Sequence, residues 1–220
     1  MTAGASREQE LRAAIVATAC AMNAAGINRG TSGNVSARMQ SDGFDGFLVT
    51  PTGMPYDTIT SDDIVAMTLD GEARGRRRAS SEWRFHRDLY RVRDDLHAIV
   101  HVHAPFATTL ACLQRGIPSF HYMIAVAGGR DIRCAPYATF GSPELAAHAV
   151  EAMADRRACL LANHGMIAAG ADLPAALALA LEVERLAEMY WRALQIGEPV
   201  LLSEAEMDVV IQKFRAYGQP

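Results

Sequence analysis

Lysine is almost missing from this sequence: Lys213 is the single lysine, and every other basic residue is an arginine. Schiff-base catalysis needs a lysine desolvated in a pocket, so that route has one candidate, close to the C-terminus. Cysteine is scarce, and Cys20, Cys112, Cys134 and Cys159 contain no C-x-x-C pair. Reduced, mostly buried thiols are expected, and a cysteine zinc site is not. No run reaches the roughly 20 apolar residues of a bilayer span, and residues 1–12 lack the basic-then-apolar order of a secretory signal. The expectation is a soluble, cytoplasmic protein without a membrane partner. Excess positive charge is absent too: 21 basic against 25 acidic residues leave a formal charge of -4. That balance argues against a nucleic-acid footprint and leaves small molecules as partners.

What is present is an ordinary globular composition, 220 residues of which 50% are hydrophobic and 21% charged. A chain of this length buries roughly 70% of its unfolded surface without disulfide staples. No repeat, linker or low-complexity tract divides it, so one domain over residues 1–220 is predicted. Helical and strand patterns alternate, which points to an α/β class with helices covering a sheet.

Ser6 with Gln9 predicts a helix start, and Gly26 its stop. Residues 27–36, INRGTSGNVS, read as a loop whose backbone can approach an anion. A strand is expected over 46–50 and a turn at Thr52-Gly53; Ser80 or Ser81 is expected to cap a helix through Trp83 and Tyr90. Residues 96–103 read as a strand, 106–114 as a helix, and 117–140 as irregular. Ser142-Pro143 opens a helix, and 159–162 and 166–169 are short strands around Asn163-His164-Gly165. A long helix over 173–196 is bounded by Asp172 and Gly197, and Ser203 with Glu206 marks the C-terminal helix and tail over 203–220.

His101 and His103 are two apart on a strand, so both imidazoles lie on one face. That spacing suits a divalent metal such as zinc, with His164 as a third ligand. The H-x-H motif alone stays divided between a metal site and satisfied histidines of a half-buried sheet. Glu82 opens its helix, where a carboxylate often serves only the helix dipole. Beside two serines and free backbone N–H groups it can also face a bound phosphate ester as an acid/base group. The loops at Thr31-Ser32-Gly33-Asn34 and Thr52-Gly53 add hydroxyl, amide and backbone donors, although neither the P-loop nor the dinucleotide spacing occurs. Arg76-Arg77-Arg78 reads as a solvated loop run rather than an anion guide. His86 and His97 are placed near helix or loop surfaces, and with His121 and His148 receive no role.

In order along the chain, GTSGNVS, TPTGMPY, SSEWRFH, HVHA, HYMIA, CAPYATFGS and NHGMIAAG resemble the class II aldolase/adducin family, and within it the branch acting on L-fuculose 1-phosphate. The resemblance covers residue 6 to the C-terminal KFRAYG. It implies a three-layer α/β/α fold around a mixed, mainly antiparallel sheet, and a homotetramer with active sites between subunits. It implies one zinc per subunit, held by His101, His103 and His164, with Glu82 completing the resting site and moving off to carry a proton. The positions matching its phosphate site are Thr31, Gly33, Asn34, Thr52, Gly53, Ser80 and Ser81. Tyr122 matches a tyrosine acting at the neighbouring subunit's aldehyde oxygen, and Tyr217 one in the C-terminal tail.

The implied activity is reversible cleavage of a ketose 1-phosphate to dihydroxyacetone phosphate and a small aldehyde such as L-lactaldehyde. The same scaffold carries pentulose-phosphate epimerases, dehydratases and decarboxylases, and a non-catalytic adducin-like interaction module. Val102 between the first two ligands, Ala162-Asn163 before the third, and an insertion over 41–46 depart from the family pattern.

Overall fold

The computed structural model describes residues 3–41 and 43–215. Eight strands, β1 (Asn34–Ser41), β2 (Phe44–Val49), β3 (Val65–Thr68), β4 (Ala73–Arg74), β5 (Ala98–Val102), β6 (Arg133–Ala135), β7 (Ala158–Leu161) and β8 (Gly165–Gly170), form one sheet. Its order is β4-β3-β2-β1-β5-β8-β7-β6, antiparallel throughout except for the parallel β6–β7 pair. Six helices cover it: α1 (Ala3–Ala24), α2 (Trp83–Val92), α3 (Pro105–Cys112), α4 (Pro143–Ala152), α5 (Leu173–Ile196) and α6 (Glu204–Arg215). This is the expected mixed α/β/α arrangement.

Strand alternation sorts the side chains into two layers. Val35, Ala37, Val100, Val102, Leu160 and Met166 join α1, α3 and α5 in one apolar cluster. Phe47, Val49, Ile99, Cys159 and Ile167 pack with α2 and α4 in a second. Val102 is therefore a core residue facing away from the flanking histidines. No helix among the described residues is long and apolar enough to cross a membrane.

Several boundaries follow the predicted caps. The Asp172 carboxylate accepts from Ala175 N at 2.7 Å, so α5 begins at Leu173, and the Ser142 hydroxyl accepts from Leu145 N to start α4. Ala104 has no side chain to cap α3; Glu184 of α5 instead accepts from Phe106 N and Ala107 N, both at 2.8 Å.

Other expectations are corrected. Helix α1 starts before Ser6, whose hydroxyl donates to Glu10 within the helix. Residues 34–36 belong to β1, not to a loop; within the stretch 41–46, Ser41 ends β1 and residues 44–46 begin β2. The N-cap of α2 is Glu82, and Ser80 only accepts from its backbone N–H at 3.3 Å. The 117–140 stretch holds a 3-10 helix at Tyr122–Ala127 and strand β6. All four cysteines are free, but only Cys159 is fully buried and Cys112 is exposed.

Candidate active site

Two parts of the sheet bring the histidines together. His101 is at the inner end of β5, His103 just beyond it, and His164 in the tight β7–β8 turn. Their ring centroids are 5.1, 4.8 and 4.9 Å apart, with interplanar angles of 70–74°. One ring nitrogen from each lies within 4.8 Å of the others. Close backbone approach makes this possible: a Cβ on Gly165 would sit 2.6 Å from Val102 O and 2.9 Å from the His103 ring. Asn163, next to His164, adopts a left-handed φ of 54° and its N–H donates to Ala111 O, which anchors the turn on α3.

His101 Nδ1 donates to Met166 O at 2.8 Å, leaving the Nε2 lone pair turned toward the other rings. Burial depresses the pKa of His103 and of His164 to about 4, with repulsion from His101 adding to it. His103 and His164 are thereby kept neutral, the form that ligates a metal.

Glu82 completes the group. Its Oε2 lies 3.2 Å from His101 Nε2 and accepts from Asn34 Nδ2 at 3.0 Å, while Oε1 is 3.2 Å from His164 Nε2. Burial pushes its carboxyl upward, but His101, His164 and the Asn34 amide outweigh this and hold it at about 2. Glu82 Oε1 is buried and receives no hydrogen bond in this geometry. Three imidazole nitrogens and an oxygen lacking a donor suit a borderline divalent cation, so the residues fit the metal that the resemblance implies.

A cleft of about 280 Å³ opens on this group. Thr31, Gly33, Asn34, Thr52, Gly53, Ser80 and Ser81 all line it, together with Glu82, His103 and His164. Backbone bonds fasten the three donor segments: Thr50 N to Val35 O, Thr52 N to Arg78 O and Ser80 N to Thr50 O. Gly33 is required by close approach, since its φ is +72° and a Cβ there would meet His101 O at 2.5 Å. Asn28, buried below, donates to Ser32 O at 2.6 Å and accepts from His103 N at 3.4 Å, tying the loop to the end of β5.

Some expected residues lie elsewhere. Tyr122 is half exposed and outside the cleft of its own chain, stacked near Phe214. Tyr217 lies outside the described residues. Arg76 and Arg77 both pair with buried Asp63, at 2.9 and 2.8 Å, so they anchor their loop instead of standing free. Tyr137 and Phe140, exposed rings on the cleft wall, were not singled out by the residue chemistry.

His86 is the main omission: it is fully buried rather than at a surface. Its Nδ1 is 2.7 Å from Ser36 Oγ, and its Nε2 is bonded to Asn34 Oδ1. A signal was available, because NVSARM alternates polar and apolar while Glu82, His86 and Tyr90 recur every fourth residue.

Comparison with known proteins agrees with this geometry. A 5-methylthioribulose-1-phosphate/5-deoxyribulose-1-phosphate aldolase of Rhodospirillum rubrum is 53% identical over 94% of this chain and 92% of its own length. An L-fuculose phosphate aldolase of Escherichia coli K12 is 48% identical over 93% and 94%. A solved L-fuculose 1-phosphate aldolase superposes with a TM-score of 0.88 at 41% identity, covering 94% of this chain and 96% of that one. Residues 13–191, which include every histidine of the triad and all three donor segments, match the class II aldolase and adducin N-terminal domain, and the chain is a member of that family.

Proposed function

We propose that this protein is a divalent-metal-dependent aldolase that reversibly splits a ketose 1-phosphate into dihydroxyacetone phosphate and a small aldehyde. One observation carries the reading: His103, His164 and Glu82 line a single cleft with the donors of segments 31–34, 52–53 and 80–81, and buried His101 meets them at its floor. The names of the similar enzymes support the reaction class. A divalent cation, with zinc our assignment, held by His101, His103 and His164 supplies Lewis acidity that stabilises the negative charge appearing as the C3–C4 bond breaks. Lys213 sits in α6 and not on the cleft wall, so it offers no amine for a Schiff base there.

Glu82, held as a carboxylate, takes a proton from the hydroxymethyl carbon of dihydroxyacetone phosphate in synthesis and returns it in cleavage. Thr31, Gly33, Thr52, Gly53, Ser80 and Ser81 hold the phosphate dianion and so register the reacting carbon against Glu82. Asn34 lines the same wall with its side-chain amide committed to Glu82 and His86. Tyr122, exposed on its own chain, is assigned to the aldehyde oxygen in a neighbouring subunit of a homotetramer, together with Tyr217 of the tail.

L-fuculose 1-phosphate, 5-deoxyribulose 1-phosphate and 5-methylthioribulose 1-phosphate all end in a methyl or methylthio group. The exposed rings of Tyr137 and Phe140 offer such an end apolar surface. A panel of these three substrates, with zinc added and dihydroxyacetone phosphate detected enzymatically, tests the reading. Release from at least one is expected; no release from any of them defeats it.

A further inference from the structure

Strand β1 turns Asn34, Ser36 and Arg38 toward α2, while Val35, Ala37 and Met39 enter the apolar core on the other side. Helix α2 answers with Glu82, His86 and Tyr90. Two strand residues advance about 6.7 Å and four helix residues about 6 Å, so the two series stay in step. The result is a continuous run of polar contacts: Tyr90 hydroxyl to Ser36 Oγ at 2.8 Å, Ser36 Oγ to His86 Nδ1 at 2.7 Å, His86 Nε2 to Asn34 Oδ1, and Asn34 Nδ2 to Glu82 Oε2 at 3.0 Å. Ser36, His86 and Tyr90 are each 0% exposed, and Asn34 is 2% exposed.

With His86 neutral, only one assignment of hydrogens satisfies every member. Glu82 accepts, so Asn34 presents its NH₂ to it and turns its carbonyl to His86. His86 Nε2 must then carry the proton, and Nδ1 must accept from the Ser36 hydroxyl. Ser36, having donated its one hydrogen, accepts from Tyr90. We infer that His86 is a positioning residue for Glu82: through this one-directional chain it locks the Asn34 amide so that its NH₂, not its carbonyl, faces the carboxylate. A flipped amide would set an oxygen against Glu82 Oε2 and turn the carboxylate away from its working position. The inference rests on Glu82 being the proton carrier of the proposed reaction.

The test has two independent arms. With ¹⁵N-histidine labelling, two-bond proton–nitrogen spectra read the His86 tautomer without any turnover. His86 is expected as neutral Nε2–H, with a pyridine-like Nδ1, in metal-free and zinc-loaded protein alike. An Nδ1–H tautomer or an imidazolium overturns the inference even if the enzyme is fully active.

In the second arm, His86→Phe keeps an aromatic ring, slightly larger than the imidazole, and removes both polar atoms. Its kcat is expected to fall roughly 10- to 100-fold, the range for groups that orient a ligand, with KM and zinc content close to wild type. His86→Gln, which can restore a donor near the Nε2 position, is expected to recover part of the loss. In a Glu82→Gln background, His86→Phe is expected to add almost nothing, because both changes act on the same group. An undiminished kcat in His86→Phe, or a full additional loss in the Glu82→Gln background, overturns the role. If His86→Phe fails to fold, Tyr90→Phe and Ser36→Ala carry the same comparison with Glu82→Gln. Absence of aldolase activity in the wild type defeats the functional proposal, while the tautomer measurement still decides the chain.

Discussion

The two faces of β1 do opposite jobs with the same backbone. Toward α1 it shows Val35, Ala37 and Met39, all in the larger apolar cluster, where burial of hydrocarbon is the stabilising force. Toward α2 it shows Asn34 and Ser36, buried and fully hydrogen-bonded, leading to Glu82 and the three imidazoles. Buried polar groups are costly unless paired, so the second face trades hydrophobic stabilisation for a carboxylate held in one orientation. One face should therefore report on stability and the other on chemistry.

Substitutions can break that division. Replacing His101 or His164 with alanine removes an imidazole from the triad. Loss of tight zinc binding in equilibrium dialysis and a fall in turnover of roughly a thousandfold or more are expected; near-normal turnover would remove the triad from the mechanism. Glu82→Gln keeps shape and removes the base, so kcat is expected to drop by about 10²–10⁴ while zinc stays bound. An unchanged rate would take Glu82 out of proton transfer.

On the opposite face, Ile15 of α1 is fully buried. Ile15→Ala should cost about 2–5 kcal/mol and lower the melting temperature by several degrees. Turnover per folded molecule should be unaltered; a comparable loss in kcat would show that the two faces are coupled.

The α2 side also predicts a pH dependence. Burial holds His86 at about 3, against about 6.5 in the unfolded chain. The unfolded state therefore binds more protons between these values, so the stabilising effect of neutral His86 is complete above pH 6.5 and is lost as pH falls toward 3. The loss from this residue is about 1.4 kcal/mol by pH 5.5, readable as a shift in urea midpoint. His86→Phe should flatten that slope, and an equal slope in the variant would assign it to other groups. The smallest effect is expected at Arg76, exposed and shared with Arg77 on Asp63. Arg76→Ala should change stability by about 1 kcal/mol or less and leave turnover alone.

How legible each part was depended on how local its physics is. The bounds of α5 were readable because Asp172 and Gly197 act within one turn of the helix ends. The histidine pair was readable because H-x-H on a strand puts both rings on one side whatever surrounds them. Strand β1 was hidden because its first residues sit in a Gly-, Ser- and Asn-rich stretch and its polar residues point inward, where alternation suggests solvent. His86 was hidden for the same reason, since its partners Asn34 and Ser36 are about fifty residues away in sequence.

Residue types and short-range spacing marked the histidines, Glu82 and the polar loops as candidates, since capping, strand alternation and donor chemistry operate over a few residues, and the motif resemblance supplied their expected roles. Whether those groups meet, and which way an amide points between a histidine and a carboxylate, depends on strands paired across the sheet and a helix laid over it. Such contacts join distant parts of the chain, and their energies exist only once the layers have packed.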